Sequence, residues 1–109
     1  MSSNLFSGSL DTIIVKLLQD NGEMYGYEIS KTISRLTNGK FLNKEGSLYP
    51  ALHRLESKGL FDTESRSIGN RHRKYYKLSD KGSKEVKHIL QDMQEFIENI
   101  QCILNIQWS

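Results

Sequence analysis

A mainly α fold with one small β-hairpin is what this 109-residue sequence predicts. Three observations predict it. Apolar residues recur at steps of three and four in three separate stretches before residue 60, the pattern of amphipathic helices. Gly69-Asn70 divides two runs of β-capable residues, a hairpin signal. A long apolar seam then occupies the C-terminal stretch from Val86 to Leu104. A chain of this length makes one domain with a modest core, too small for an elaborate active-site cleft.

In chain order, Leu10, Ile13, Ile14, Leu17 and Leu18 mark a helix from about Ser9 to Gln19, capped by Ser9 or Gly8 and stopped by Asp20-Asn21-Gly22. Ile29, Ile33 and Leu36 mark one face of a second helix from about Gly26 to Thr37. Gly26, bracketed by Tyr25 and Tyr27, permits close approach to a neighbouring helix. Asn38-Gly39 closes the second helix, and Lys40-Phe41-Leu42 reads as a very short extended segment. The third helix carries Leu48, Leu52 and Leu55 at i, i+4 and i+7 with Ala51 beside them, and Gly59 stops it. Pro50 lacks a backbone donor and crowds the carbonyl of Gly46. The helix therefore either starts near Ser47, with Pro50 in its first turn, or starts at Asn43 and bends between Gly46 and Pro50. The pattern is compatible with both.

The second and third helices in quick succession form a helix-turn-helix unit, and the hairpin of Leu60 to Ile68 with Arg71 to Leu78 adds a wing to it. From Ser79, a cap with Asp80 in the first turn, Val86, Leu90, Met93, Ile97, Ile100 and Leu104 follow at coiled-coil steps. Ile89, Phe96 and Ile103 form a second row beside them. Gly82 lies near enough to the start to be tolerated. A helix of about 28 residues would be ~42 Å long, more than a domain of this size covers, so part of its apolar face is expected to meet another chain. The fold class is thus a winged helix-turn-helix over residues 1–78 followed by a C-terminal dimerisation helix over residues 79–109. The expected dimer interface is Leu90, Met93, Phe96, Ile97, Ile100 and Leu104. Ile106 and Trp108 either complete that contact or fray.

Net charge is only +2, but its distribution is uneven. From Lys40 to Lys77 nine basic residues face four acidic ones, a balance of +5, against −1 and −2 in the flanks. Such a concentration points to a polyanion partner. On the third helix the side opposite the leucine stripe presents Lys44, Ser47, Tyr49, His53 and Arg54, donors and a flat ring suited to phosphates and base edges. Taken alone, that segment is equally well an ordinary amphipathic core helix. Arg66, Arg71 and Arg73 cluster near the hairpin tip, with Lys74 following, where guanidinium groups can lie along a phosphate backbone or in a minor groove.

Catalysis is disfavoured. His53, His72 and His88 stand far apart, and none forms a metal-ligand motif with a carboxylate or with Cys102. The sequence contains no phosphate loop, nucleophile elbow or glycine-rich dinucleotide turn. No cofactor and no metal are expected. The single cysteine excludes an internal disulfide, and no segment approaches the ~20 apolar residues that span a bilayer. A soluble cytoplasmic protein without a membrane partner is expected.

Tyr25-Gly26-Tyr27-Glu28-Ile29, Gly46-Ser47-Leu48-Tyr49-Pro50-Ala51-Leu52 with Arg54-Leu55-Glu56 and Lys58-Gly59-Leu60, and Arg73-Lys74-Tyr75-Tyr76-Lys77-Leu78 with Gly82 occur in that order. Together they resemble the PadR family of bacterial transcriptional regulators, over about residues 8 to 85. The single C-terminal helix is similar to the smaller subfamily. The resemblance implies a homodimeric winged helix-turn-helix repressor that places its third helix in the major groove of a palindromic operator in double-stranded DNA and its wing in the minor groove. Carried over by position, helix contacts fall on Ser47, Tyr49 and Pro50, with Lys44 and Arg54 nearby, and wing contacts on Arg71 and Arg73. Some members bind aromatic or cationic effectors between subunits. Met93 and Phe96 occupy the corresponding region here, and the only tryptophan, Trp108, lies much nearer the end. Two rival readings are a winged-helix protein-interaction module and a ligand sensor without operator binding.

Overall fold

The computed structural model describes the backbone of residues 2–39 and 47–105, and the side chains of 9–39 and 47–105. Within these residues the elements are α1 (Ser2–Asn21), β1 (Glu23–Tyr25), α2 (Gly26–Leu36), α3 (Leu48–Ser57), β2 (Phe61–Ile68), β3 (Arg71–Leu78) and α4 (Asp80–Leu104). The expected extended segment at Lys40-Phe41-Leu42, and with it Lys44, lies outside the described residues, as do Ile106 and Trp108. No described helix is long and apolar enough to cross a membrane.

The helices bury the stripes that the periodicity marks. Leu10, Ile14, Val15, Leu17 and Leu18 of α1 pack with Ile29 and Ile33 of α2 and with Leu48, Ala51, Leu52 and Leu55 of α3. Each such aliphatic side chain taken out of water contributes roughly 1.5–3 kcal/mol. Leu36, expected on the same face of α2, is exposed, because it is the last helical residue and lies beyond the turn that meets the core. The first helix also starts earlier than expected. Gly8 and Ser9 lie inside α1 and do not cap it, since the spacing of Phe6 and Leu10 continues the apolar pattern across them.

A third strand, β1, was not legible in the sequence. It pairs antiparallel with β3, Met24 opposite Tyr76, so the sheet order is β1-β3-β2. The hairpin itself has the expected two-residue connection. Ile68 pairs with Arg71, and Gly69 alone of the two loop residues has a positive φ (+62°), as a type II′ turn requires at its first central position.

Two turns set the direction of α3 and α4. Gly59 takes φ +80° after α3, and Leu60 N–H donates to Leu55 O at 3.1 Å, the six-to-one bond of a Schellman stop. Ser79 caps α4, its Oγ accepting from Gly82 N at 3.0 Å and donating to Gly59 O at 2.6 Å. Gly82 is more than tolerated. A Cβ there would lie 2.2 Å from Leu60 O, so the close approach of α4 to the end of α3 demands glycine.

Candidate nucleic-acid interface

The third helix meets the wing across a groove of about 470 Å³, lined by Tyr25, Gly26 and Tyr27 at the start of α2, Tyr49 of α3, and Arg71, His72, Arg73, Lys74 and Tyr76 of β3. The shortness of β1 creates it. Because β1 pairs only with Tyr75, Tyr76 and Lys77, the edge of β3 from Arg71 to Lys74 has no strand beside it on that side. Side chains from both faces of β3 therefore line the groove. An open strand edge and the first turn of a helix both present unpaired backbone N–H groups, which favour an anion.

Tyr49 is 59% exposed, and its ring lies over Gly26, where a Cβ would come within 2.9 Å of Tyr49 Cε1. The glycine of the Tyr25-Gly26-Tyr27 motif thus makes room for the aromatic ring of α3. On the other wall Arg73 stacks its guanidinium 4.4 Å from the centre of the Tyr25 ring. Neither Arg71 nor Arg73 forms an ion pair with a carboxylate among the described residues. Tyr76 is buried beneath them, 6.0 Å from Phe61, and burial pushes its phenol pKa up. His72 is exposed and shares a 2.8 Å hydrogen bond with Ser67 across the hairpin.

Along α3, Pro50 and His53 are exposed beside Tyr49, and Ser47 is the partly buried N-cap. The described helix starts at Leu48, so Pro50 falls in its first turn, and the first bond back along the helix comes from Ala51 N to Ser47 O at 3.4 Å.

Three of the residues expected to contact nucleic acid pair with carboxylates, one of which, Glu64, is on the same strand and the rest on other elements. Arg54 donates to Asp11 Oδ1 of α1 at 2.7 Å. Lys74 donates to Glu56 Oε1 of α3 at 3.0 Å, a hydrogen bond that raises the lysine pKa. Arg66 donates to Glu23 of β1 and to Glu64, each at 2.8 Å. These cations tie the domain together, and the groove brings together Tyr49, Arg71, Arg73 and Lys74 without Arg54 or Arg66. The acidic partners Asp11, Glu23 and Glu56 were missed by sequence reasoning, which reads a charge run without its distant partners.

At the far end of the molecule Phe96, Ile97, Ile100, Ile103 and Leu104 of α4 are exposed, and Leu90 and Met93 are partly buried. Met93 lines a second groove of about 290 Å³ with Asp11, Val15, Leu55, Ile89 and Asp92, and Phe96 does not.

The sequence pattern of the transcriptional regulator PadR-like family matches residues 14–88. The chain belongs to that family. Its fold is similar to that of a transcriptional regulator from Clostridium thermocellum, 32% identical with a TM-score of 0.75, the match covering 99% of each chain. A PadR family transcription regulator from Clostridium difficile is 33% identical with a TM-score of 0.66, over 87% of this chain and 96% of that one. A putative transcriptional regulator from Thermoplasma acidophilum is 25% identical with a TM-score of 0.79, over 96% and 99%. Family and fold make this PadR-like protein a transcriptional regulator.

Proposed function

We propose that this PadR-like protein is a cytoplasmic repressor that binds a palindromic operator as a homodimer. Residues 1–78 form the DNA-binding part and residues 79–109 the dimerisation helix. Tyr49, Pro50 and His53, with Ser47 at the N-cap of α3, enter the major groove together with Lys44, which precedes them in sequence, and Arg71 and Arg73 follow the backbone into the minor groove. The observation that carries this reading is the groove where exposed Tyr49 faces Arg71 and Arg73, the two wing arginines that no carboxylate among the described residues holds. Arg54, Arg66 and Lys74 are already engaged by carboxylates. The exposed apolar strip of α4 supports pairing of two chains, which would set the two α3 helices about 34 Å apart, one turn of B-DNA. A dimer bound across a promoter then represses by occupancy.

The test is selection of duplexes from a random-sequence pool, followed by binding measured against salt. The wild type should enrich a palindrome and bind it with a steep salt dependence. Arg71→Gln with Arg73→Gln should weaken binding at least about tenfold and shorten the slope by about two ions, with the melting temperature unchanged. A protein-interaction module would show no enriched duplex. A ligand sensor would bind small molecules without any salt-sensitive DNA shift.

Relief by a small aromatic or cationic effector is assigned to the groove beside Met93, where Val15, Leu55, Leu60 and Ile89 supply apolar walls and Asp92 and Lys58 carry opposite charges. Phe96, one turn along α4, would join it only across a dimer.

A further inference from the structure

Arg66 and Arg73 are direct partners across the hairpin, so their side chains leave the same face of the sheet. Two like charges placed opposite one another destabilise a strand pair unless something separates them. Here they part. Arg66 turns back from the wing tip, lies 4.1 Å from the centre of the Tyr75 ring, and crosses β3 to reach Glu23 of β1, with Glu64 on its own strand. Tyr75 in turn packs edge-on against Tyr25 at 5.5 Å, and Arg73 stacks on Tyr25. Arg66, Tyr75, Tyr25 and Arg73 thus form one continuous stack on the outer face, anchored at its base by two carboxylates.

We propose that Arg66 is a positioning residue for DNA binding: a strap that ties the wing to β1 and, through the two tyrosine rings, fixes Arg73 and the entry of α2 beside Tyr49. The proposal rests on the DNA-binding reading above. Arg66 with Glu23 and Glu64 carries a summed charge of −1, so this cluster repels phosphate and releases no counterion on binding. Isolated exposed ion pairs contribute little, but here two carboxylates and a ring share one planar guanidinium, the arrangement in which a surface network holds geometry.

Salt dependence separates positioning from contact. With a duplex enriched by the wild type, Arg66→Gln should weaken binding about three- to tenfold while leaving the slope of log affinity against log salt unchanged, whereas Arg73→Gln should shorten that slope by about one ion. Glu23→Gln gives the sign. It keeps the Arg66 charge and removes a negative one near the DNA, so a direct Arg66 contact predicts tighter binding and the strap predicts weaker binding. A slope shortened by about one in Arg66→Gln, no loss of affinity in that variant, or tighter binding by Glu23→Gln would each overturn the proposal. A wild type that enriches no duplex would instead defeat the DNA-binding reading itself.

Discussion

The two halves of α4 carry the same kind of sequence and meet opposite fates. In the first half Val86 is 5% exposed, and Gly82 sits against the Leu60 carbonyl under the Ser79 cap. In the second half the seam continues at the same spacing, yet Ile97 is 47% and Leu104 59% exposed. The difference lies in what the rest of the chain can cover. A helix of 25 residues spans ~38 Å at 1.5 Å per residue, and the molecule measures 53 × 30 × 27 Å, so the distal turns run past the core that α1 and α3 provide. An amphipathic stripe therefore records that burial is needed without recording whose surface supplies it. The proximal half fixes the direction in which α4 leaves the winged-helix part, and the distal half leaves an apolar strip exposed.

The sharpest way to break this division is Ile100→Lys. A lysine placed in an apolar interface between two copies is buried twice by symmetry and without a partner, so dimerisation should weaken by at least about a hundredfold. Sedimentation at micromolar concentration would report this, while the thermal stability of the monomer stays level. Gly82→Ala should do the reverse. Its methyl group would collide with Leu60 O, so folding stability should fall by about 1–3 kcal/mol or more in denaturant titrations, with the distal seam untouched. Ser79→Ala should cost less, about 0.5–2 kcal/mol, through loss of the cap to Gly82 N and the bond to Gly59 O. Equal loss of dimer in the Gly82 and Ile100 variants would erase the distinction between joint and interface.

Much of this architecture is legible in the residues. The stripes of α1, α2 and α3 follow from a 3.6-residue period sustained over three turns, and the wing from Gly69-Asn70. Three-residue β1 has no period to read, so the open β3 edge that shapes the groove stayed hidden with it. The role of Gly82 depends on a carbonyl 22 positions away, and local spacing is silent on it. The candidate site divides in the same way. Residue type and strand position pick out Tyr49, Arg71 and Arg73, but whether a cation is available depends on distant carboxylates. Arg54 and Arg66 are held by acids 43 residues away, and Lys74 by one 18 away.

Those ties make the winged-helix part sensitive to pH in a direction that can be worked out. The hydrogen bond from Arg66, reinforced by its charge, holds the Glu64 carboxyl below its ordinary value of 4.5. Its contribution is therefore present above the unfolded pKa and disappears as pH falls through the lower folded value. Lys74 is shifted the other way by its hydrogen bond to Glu56, so its contribution is whole below its ordinary 10.5 and disappears as pH rises through the higher folded value. Between those limits both ties hold, and stability should be nearly flat on their account. Glu64 is fully exposed, which makes its share the smallest of the effects considered. Glu64→Gln should narrow the gap between neutral and acid stability slightly, leave the alkaline limb alone, and leave the exposed seam of α4 unaffected. A variant that instead shifted the alkaline limb would place the titrating partner of the wing elsewhere than on Arg66.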